Sequence, residues 1–203
     1  MHSEKHGMTR ASATVVALAM ALAPVGTAYG QTTPGGGGTH SGTHEENSYP
    51  RSRPSLSDYE TTAITRNVDA VRNECADLDP RYRIDCLRKG LIEVAQRIPE
   101  SGDYAPARAI IAEAAAKLGE VQRKHADPAA EEKKSSGNAR IAANRTYKAV
   151  KREELAEAMA EATKIIEEAE TKLLRAGENS EKRAAHYQQI ATAIGSTKVL
   201  LRS

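Results

Sequence analysis

From residue 57 onward, apolar side chains return every three or four positions, the spacing that lines one face of an α-helix. Ile64, Val68, Val71, Cys75 and Leu78 form the first such stripe and predict a helix over about 58–78. Ser57, with Glu60 three residues later, fits a capping box, in which hydroxyl and carboxylate satisfy unpaired backbone donors. Asp79 and Pro80 then reset the chain, because Asp is a good N-cap, Pro suits the first helical position, and the residue before Pro is pushed out of helical geometry. Ile84, Leu87, Leu91, Val94 and Ile98 give a second stripe, which PESGDY ends. Asp103 is placed to cap a third helix, with Pro106 in its tolerant first turn. Its stripe is Ala107, Ile111, Ala114, Leu118 and Val121. Short connections make neighbouring helices antiparallel, so residues 57–127 read as a three-helix module.

Pro128 and Gly137 interrupt the pattern, and residues 128–138 are expected to be a hinge, with a charged continuation of helix as the alternative. Beyond them Leu155, Met159, Ala162, Ile166, Ala169, Leu173 and Ala176 step by four and three without a fault, the seam of a coiled coil. Gly177 is placed for a left-handed cap and Asn179 or Ser180 for the next start. Tyr187, Ile190, Ala191 and Ile194 line the return helix. A helix over 139–176 would be about 57 Å long against about 35 Å for 179–201, so the return helix reaches back only to about residue 155. Ile141, Tyr147 and Val150 are left over, to dock on the first module or on a second copy, or to sit on an exposed charged helix. The expected fold class is all-α: antiparallel helical hairpins, with a small three-helix module followed by a coiled-coil-like hairpin over 139–203.

The chain before residue 57 is of another kind. Lys5 and Arg10 precede the apolar run ASATVVALAMALAPVG, and small residues follow, the layout of a secretory signal. A cut after Gly30 is expected, with Ala28 as the alternative, which makes the protein periplasmic or secreted. The run is short of the roughly 20 apolar residues of a membrane-spanning helix. Residues 31–56, rich in Gly, Ser, Thr and Pro, read as a flexible tether. His40 and His44 lie four apart within it, but four glycines precede them, so the spacing lacks the helix that would aim both rings at a metal.

Composition narrows the partners. Removing residues 1–30 takes away Glu4, Lys5 and Arg10 and leaves 27 basic and 26 acidic residues. A near-neutral chain with no Phe, no Trp and seven Tyr offers neither a basic face nor stacking platforms, which argues against nucleic acid and against sugars. Alanine-rich seams let helices approach closely yet bury little area at about 25 cal/mol per Å². A marginal core favours self-association, so a homo-oligomer is one expectation. Glu113 with Lys117, Glu120 with Lys124, and Glu168 with Lys172 place acid four residues before base, as solubilising surface pairs.

The chemistry rests on NECADLDPRYRIDCLRKG, which holds the chain's two cysteines, Cys75 and Cys86. Ten residues intervene, unlike the C-x-x-C of thiol oxidoreductases. A structural zinc site wants four ligands, and only His125 and His186 remain in the folded region, so no metal or other cofactor is expected. Outside the cytoplasm two cysteines form a disulfide by default. A continuous helix would hold their Cα atoms about 16 Å apart, beyond the roughly 7 Å limit, so the bond needs the reversal that Pro80 supplies. With Arg83 shortly before the second cysteine, the stretch resembles cysteine-paired helical hairpins of exported bacterial proteins, which implies no activity. Activation of a free Cys86 thiol by Arg81, Arg83, Arg88 and Lys89 is the competing reading.

In IPESGDY, Glu100 followed by Ser101 is similar to the catalytic Glu-Ser of lysozyme-like lytic transglycosylases, helical periplasmic enzymes that act on peptidoglycan. The resemblance implies that Glu100 protonates a glycosidic oxygen as a carboxylic acid of raised pKa. It covers two residues, and the accompanying Gly-rich and Gln-containing motif and the sugar-binding aromatics are missing from the sequence. A solvated, helix-ending turn is the simpler reading. G-x-S-x-G, P-loop, H-E-x-x-H and EF-hand patterns are also missing, so no catalytic residue or small-molecule substrate is nominated. The expectation is an exported structural, scaffold or adaptor protein of the bacterial cell envelope, binding an envelope protein or itself through helix surfaces. The alternatives are a holdase-like chaperone with an exposed apolar patch of several hundred Å², and peptidoglycan cleavage through Glu100.

Overall fold

Ser57 Oγ accepts the Glu60 N–H at 3.2 Å and opens the first helix, α1 (Asp58–Ala76). The structure, a computed structural model, describes residues 55–202. The secretory signal, its cut sites and the His40/His44 pair lie outside these residues. Half of the expected capping box is formed; the other half is replaced, since the Ser57 N–H donates to the Tyr104 hydroxyl at 3.0 Å. Asp79 accepts the Arg81 N–H at 3.0 Å and, with Pro80 at the first helical position, opens α2 (Pro80–Arg97).

Between these helices Cys75 and Cys86 form a disulfide, their Cα atoms 5.7 Å apart. One turn further from the corner, Gly90 of α2 faces Val71 of α1. A Cβ on Gly90 would lie 2.3 Å from Val71 Cγ1, so the helices close to a distance only glycine permits. Gly102, at φ 83°, turns the chain into α3 (Ala105–Lys124). The N-cap of α3 is Tyr104 and not Asp103. The Asp103 carboxylate pairs instead with Arg183 at 2.6 Å, a charge-assisted bond stronger than one to a neutral amide.

The largest departure from the sequence pattern follows α3. Residues 128–138 are no hinge, and residues 139–154 are not helical. Two short antiparallel strands, β1 (Lys133–Lys134) and β2 (Thr146–Tyr147), pair Lys133 with Tyr147 and Lys134 with Thr146. Gly137, at φ 67°, and an Asn138 carboxamide that accepts the Arg140 and Ile141 N–H groups turn the chain between them. The side chain of Asn138 thus offers the backbone a turn in place of helix.

Helix resumes in α4 (Leu155–Gly177), where the faultless seam starts, and returns in α5 (Glu181–Ser196), capped by Ser180 and continued by a 3-10 turn, Thr197–Leu201. Gly177 makes no left-handed cap: it is the last residue of α4, before a C-cap Glu178 in right-handed helical geometry. A Cβ on Gly177 would lie 2.9 Å from Tyr187 Cβ and 3.2 Å from Ala184 Cα, so its role is to admit α5.

Each helix packs on the next, and α5 closes on α1, giving an all-α ring of five helices around one continuous core. All described residues belong to one unit. The proposed division into a three-helix module and a separate hairpin is therefore corrected: α3 packs along α4, and α1 along α5. A buried polar chain crosses the ring. The single Tyr104 proton goes to the Ser57 carbonyl at 2.8 Å, so the Thr61 hydroxyl, 2.7 Å away, donates to Tyr104 and accepts from His186 Nδ1–H at 2.8 Å. That order of donors links α1, α3 and α5.

Two outcomes test this packing. Gly90→Ala lowers stability by about 1–3 kcal/mol in urea unfolding followed by circular dichroism, the cost of overpacking, although alanine favours helix; an unchanged or raised midpoint would contradict the Val71 contact. Replacing both cysteines by alanine costs about 3 kcal/mol by the chain-entropy argument for so short a loop.

Candidate functional site

The residues expected to meet a partner are interior. Ile141, Tyr147, Val150, Met159, Ile166, Leu173, Tyr187, Ile190 and Ile194 are buried in the one core, and Leu155 is partly buried against it. They are seam and core positions, not a free surface. Ile141, Tyr147 and Val150 dock on the first helices, and two buried carboxylates hold that segment. Glu74 of α1 accepts from the Ser135 hydroxyl at 2.5 Å, the Tyr147 hydroxyl at 3.2 Å and the Gly137 N–H at 3.3 Å. Burial holds the Tyr147 phenol above its ordinary range, with the Glu74 charge acting in the same direction against Ser135 and Arg145. Asp85 of α2, fully buried, accepts from Arg88 at 2.8 Å, Lys89 at 3.0 Å and the Lys148 N–H at 2.9 Å. The sequence pattern pointed to neither acid, since both lie on the helix stripes' polar flanks.

Glu100 lies on the surface, its side chain 80 % exposed and bound to Arg108 at 2.5 Å. The large exposed apolar side chains among the described residues are Tyr59, Leu174 and Val199, from α1, α4 and the 3-10 turn. No described helix is long and apolar enough to cross a membrane. Between α1 and α5 runs a groove of about 650 Å³ lined by Thr65, Asp69, Arg72, Gln189, Thr192 and Ser196 among others. Its walls are hydroxyls, amides and alanines, with the Arg72–Asp69 ion pair, 3.4 Å apart, among them.

The face shared by α3 and α4 carries two charged clusters of different character. In the first, Glu113, Lys117, Glu168 and Lys172 alternate in a closed ring with N–O distances of 3.0, 2.8, 2.9 and 2.7 Å. The two pairs read from i,i+4 spacing are present, and the fold joins them across the helices. Hydrogen bonds from Lys117 and then Lys172 draw the Glu168 carboxyl down to about 2, and those from Lys172 and then Lys117 lower Glu113. Glu168 and Glu113 in turn hold both lysines above their ordinary range.

In the second cluster Lys124 leaves its expected partner Glu120 and reaches Glu161 at 2.5 Å and Glu157 at 3.4 Å on α4. His125, at the C-cap of α3, has its side chain 2 % exposed. Its Nδ1 lies 2.8 Å from Glu154 Oε2, and Glu154 is also bound by Lys151 at 2.8 Å. Both bonds lower the Glu154 carboxyl, Lys151 first. An ionised carboxylate only accepts, so Nδ1 carries the proton of this bond. The other ring nitrogen, Nε2, is buried without a hydrogen-bond partner, 3.5 Å from Glu161 Oε1. Ligand atoms of His125, Glu157 and Glu161 all lie within 4.8 Å of one another. Sequence spacing missed this set because its members are 32 and 36 positions apart and meet only when the docked segment returns α4 to the end of α3.

Comparison of the chain with protein-family models, with curated proteins and with solved structures returned no match.

The ring of four sets an acid limit. Because Glu168 titrates near 2 in the fold against 4.5 unperturbed, its contribution is complete above about pH 4.5 and lost as pH falls through 2. The thermal midpoint of Glu168→Gln should therefore be less pH-dependent than the parent between pH 4.5 and 2, and 1 M salt should shrink the difference. Parallel curves for the two proteins would show that the ring contributes nothing.

Proposed function

We propose that the chain is an exported helical adaptor or scaffold of the bacterial cell envelope, presenting helix surfaces to a protein partner. The observation that carries this reading is the Cys75–Cys86 disulfide, which is compatible with an oxidising compartment. It agrees with the basic start, apolar run and small residues of positions 1–30. The surface that best suits a partner is the α1/α5 groove, where the hydroxyls of Thr65, Thr192 and Ser196, the amides of Gln188 and Gln189 and the Arg72–Asp69 pair can bond it. The core positions are occupied by the ring's own packing and are not offered to a partner.

A photocrosslinking residue placed at Gln189 in the groove should yield one discrete adduct in intact cells, and the same residue at exposed Lys164 on α4 should not. Equal labelling from both positions, or recovery of the protein in the cytoplasm with free thiols, would overturn the proposal.

A further inference from the structure

We infer that His125, Glu157 and Glu161 form a binding site for a divalent transition-metal cation, with zinc the best-fitting ion, held between the end of α3 and the first turns of α4. The inference goes beyond the adaptor reading and does not depend on the partner.

Three features support it. A buried imidazole nitrogen without a partner forfeits the hydrogen bond that nearly all buried polar groups make. With Nδ1–H bonded to Glu154, the ring turns its other nitrogen, Nε2, toward the Glu161 carboxylate at 3.5 Å, with a Glu157 ligand atom within the same 4.8 Å cluster. A buried nitrogen without a hydrogen-bond partner, aimed at two carboxylates, is the geometry that a cation between them completes. The carboxylate–imidazole–metal relay is also how metal-binding histidines are ordinarily oriented, and Glu154 already occupies the outer position.

The second feature is that a cation sits at these carboxylates already. The Lys124 ammonium bridges Glu157 and Glu161 but makes no hydrogen bond with His125 Nε2. A metal ion can take all three ligands. Lys124 then has Glu120 to return to, one helical turn back on α3, where both line the same shallow surface with Glu161.

The third is the donor set and its freedom to adjust. One imidazole and two carboxylates suit zinc, at bond lengths of about 2.0–2.2 Å, and leave a fourth position for water. A tetrahedron of that size spaces ligand atoms about 3.4 Å apart. His125 and Glu161 are at 3.5 Å, and the widest pair in the set, within 4.8 Å, closes by rotation of glutamates that are exposed or half-exposed. The i,i+4 spacing of Glu157 and Glu161 puts both on one face of α4. A bound ion would clip together the two ends of the docked segment 125–154.

The test is a calorimetric titration of the chelator-treated full chain with zinc chloride near pH 7, repeated with Co²⁺ to read its visible absorption. One equivalent should bind with micromolar or tighter affinity. Glu161→Gln and His125→Gln should each weaken it by at least about tenfold, and Glu154→Gln by about 10–100-fold. Lys124→Met should tighten it, because the competing ammonium is gone. Zinc should also raise the thermal midpoint of the parent and not of Glu161→Gln, whose fold is checked by circular dichroism. His40→Ala/His44→Ala must leave this equivalent intact. No binding at micromolar concentration, binding that persists in Glu161→Gln, or binding lost with His40 and His44 would each overturn the inference.

Discussion

The structure depends on a single covalent corner. The disulfide between Cys75 and Cys86 fixes α1 against α2, and the residue immediately before each cysteine is a buried acid, Glu74 in one helix and Asp85 in the other. These two carboxylates hold consecutive residues of the later segment: Glu74 takes the Tyr147 hydroxyl and Asp85 the Lys148 N–H. A buried carboxylate is tolerated only when its lone pairs are satisfied, so the segment and the acids each supply what the other lacks. The corner therefore positions both the helices and the mostly non-helical segment between α3 and α4.

A second constraint is the want of Phe and Trp. The ring closes instead by close approach, at Gly90 under Val71 and Gly177 under Tyr187, and by tyrosines that fill volume while bonding through their hydroxyls. Tyr104, Tyr147 and Tyr187 are fully buried, and each hydroxyl has a partner. Such bonds are directional, so they select one register of the helices where alanine seams would accept several.

The elements that sequence revealed are those set by local rules. Ser57, Asp79 and Ser180 cap helices as their side chains dictate, the stripes of α1 to α5 face the core, and the cysteines meet across Pro80. Residues 139–154 depart from helix although Ile141, Tyr147 and Val150 are spaced compatibly with it, because what holds them is not local periodicity: Ile141 closes the Asn138 turn, while Tyr147, Lys148 and Val150 bond Glu74, Asp85 and the Arg81 carbonyl. Asp103 and Lys124 each have a credible local role that a charged partner on another helix overrides. The His125 set was invisible for the same reason: its two carboxylates follow a helical repeat, but the imidazole belongs to the helix before.

The corner also bears on the entropy of closing the chain's long loops. Its own contacts span only a short loop, whereas the bonds from Glu74 to the later segment join residues 61 to 73 positions apart. Long-range contacts carry the larger loop-closure penalty and form slowly from an unstructured chain. The disulfide holds both acids on one short cross-linked corner, to which the distant segment is bonded. A bond between near neighbours in sequence thereby shortens the loops that the distant contacts must close, so part of the conformational entropy of the later segment's docking is removed by a link eleven residues long.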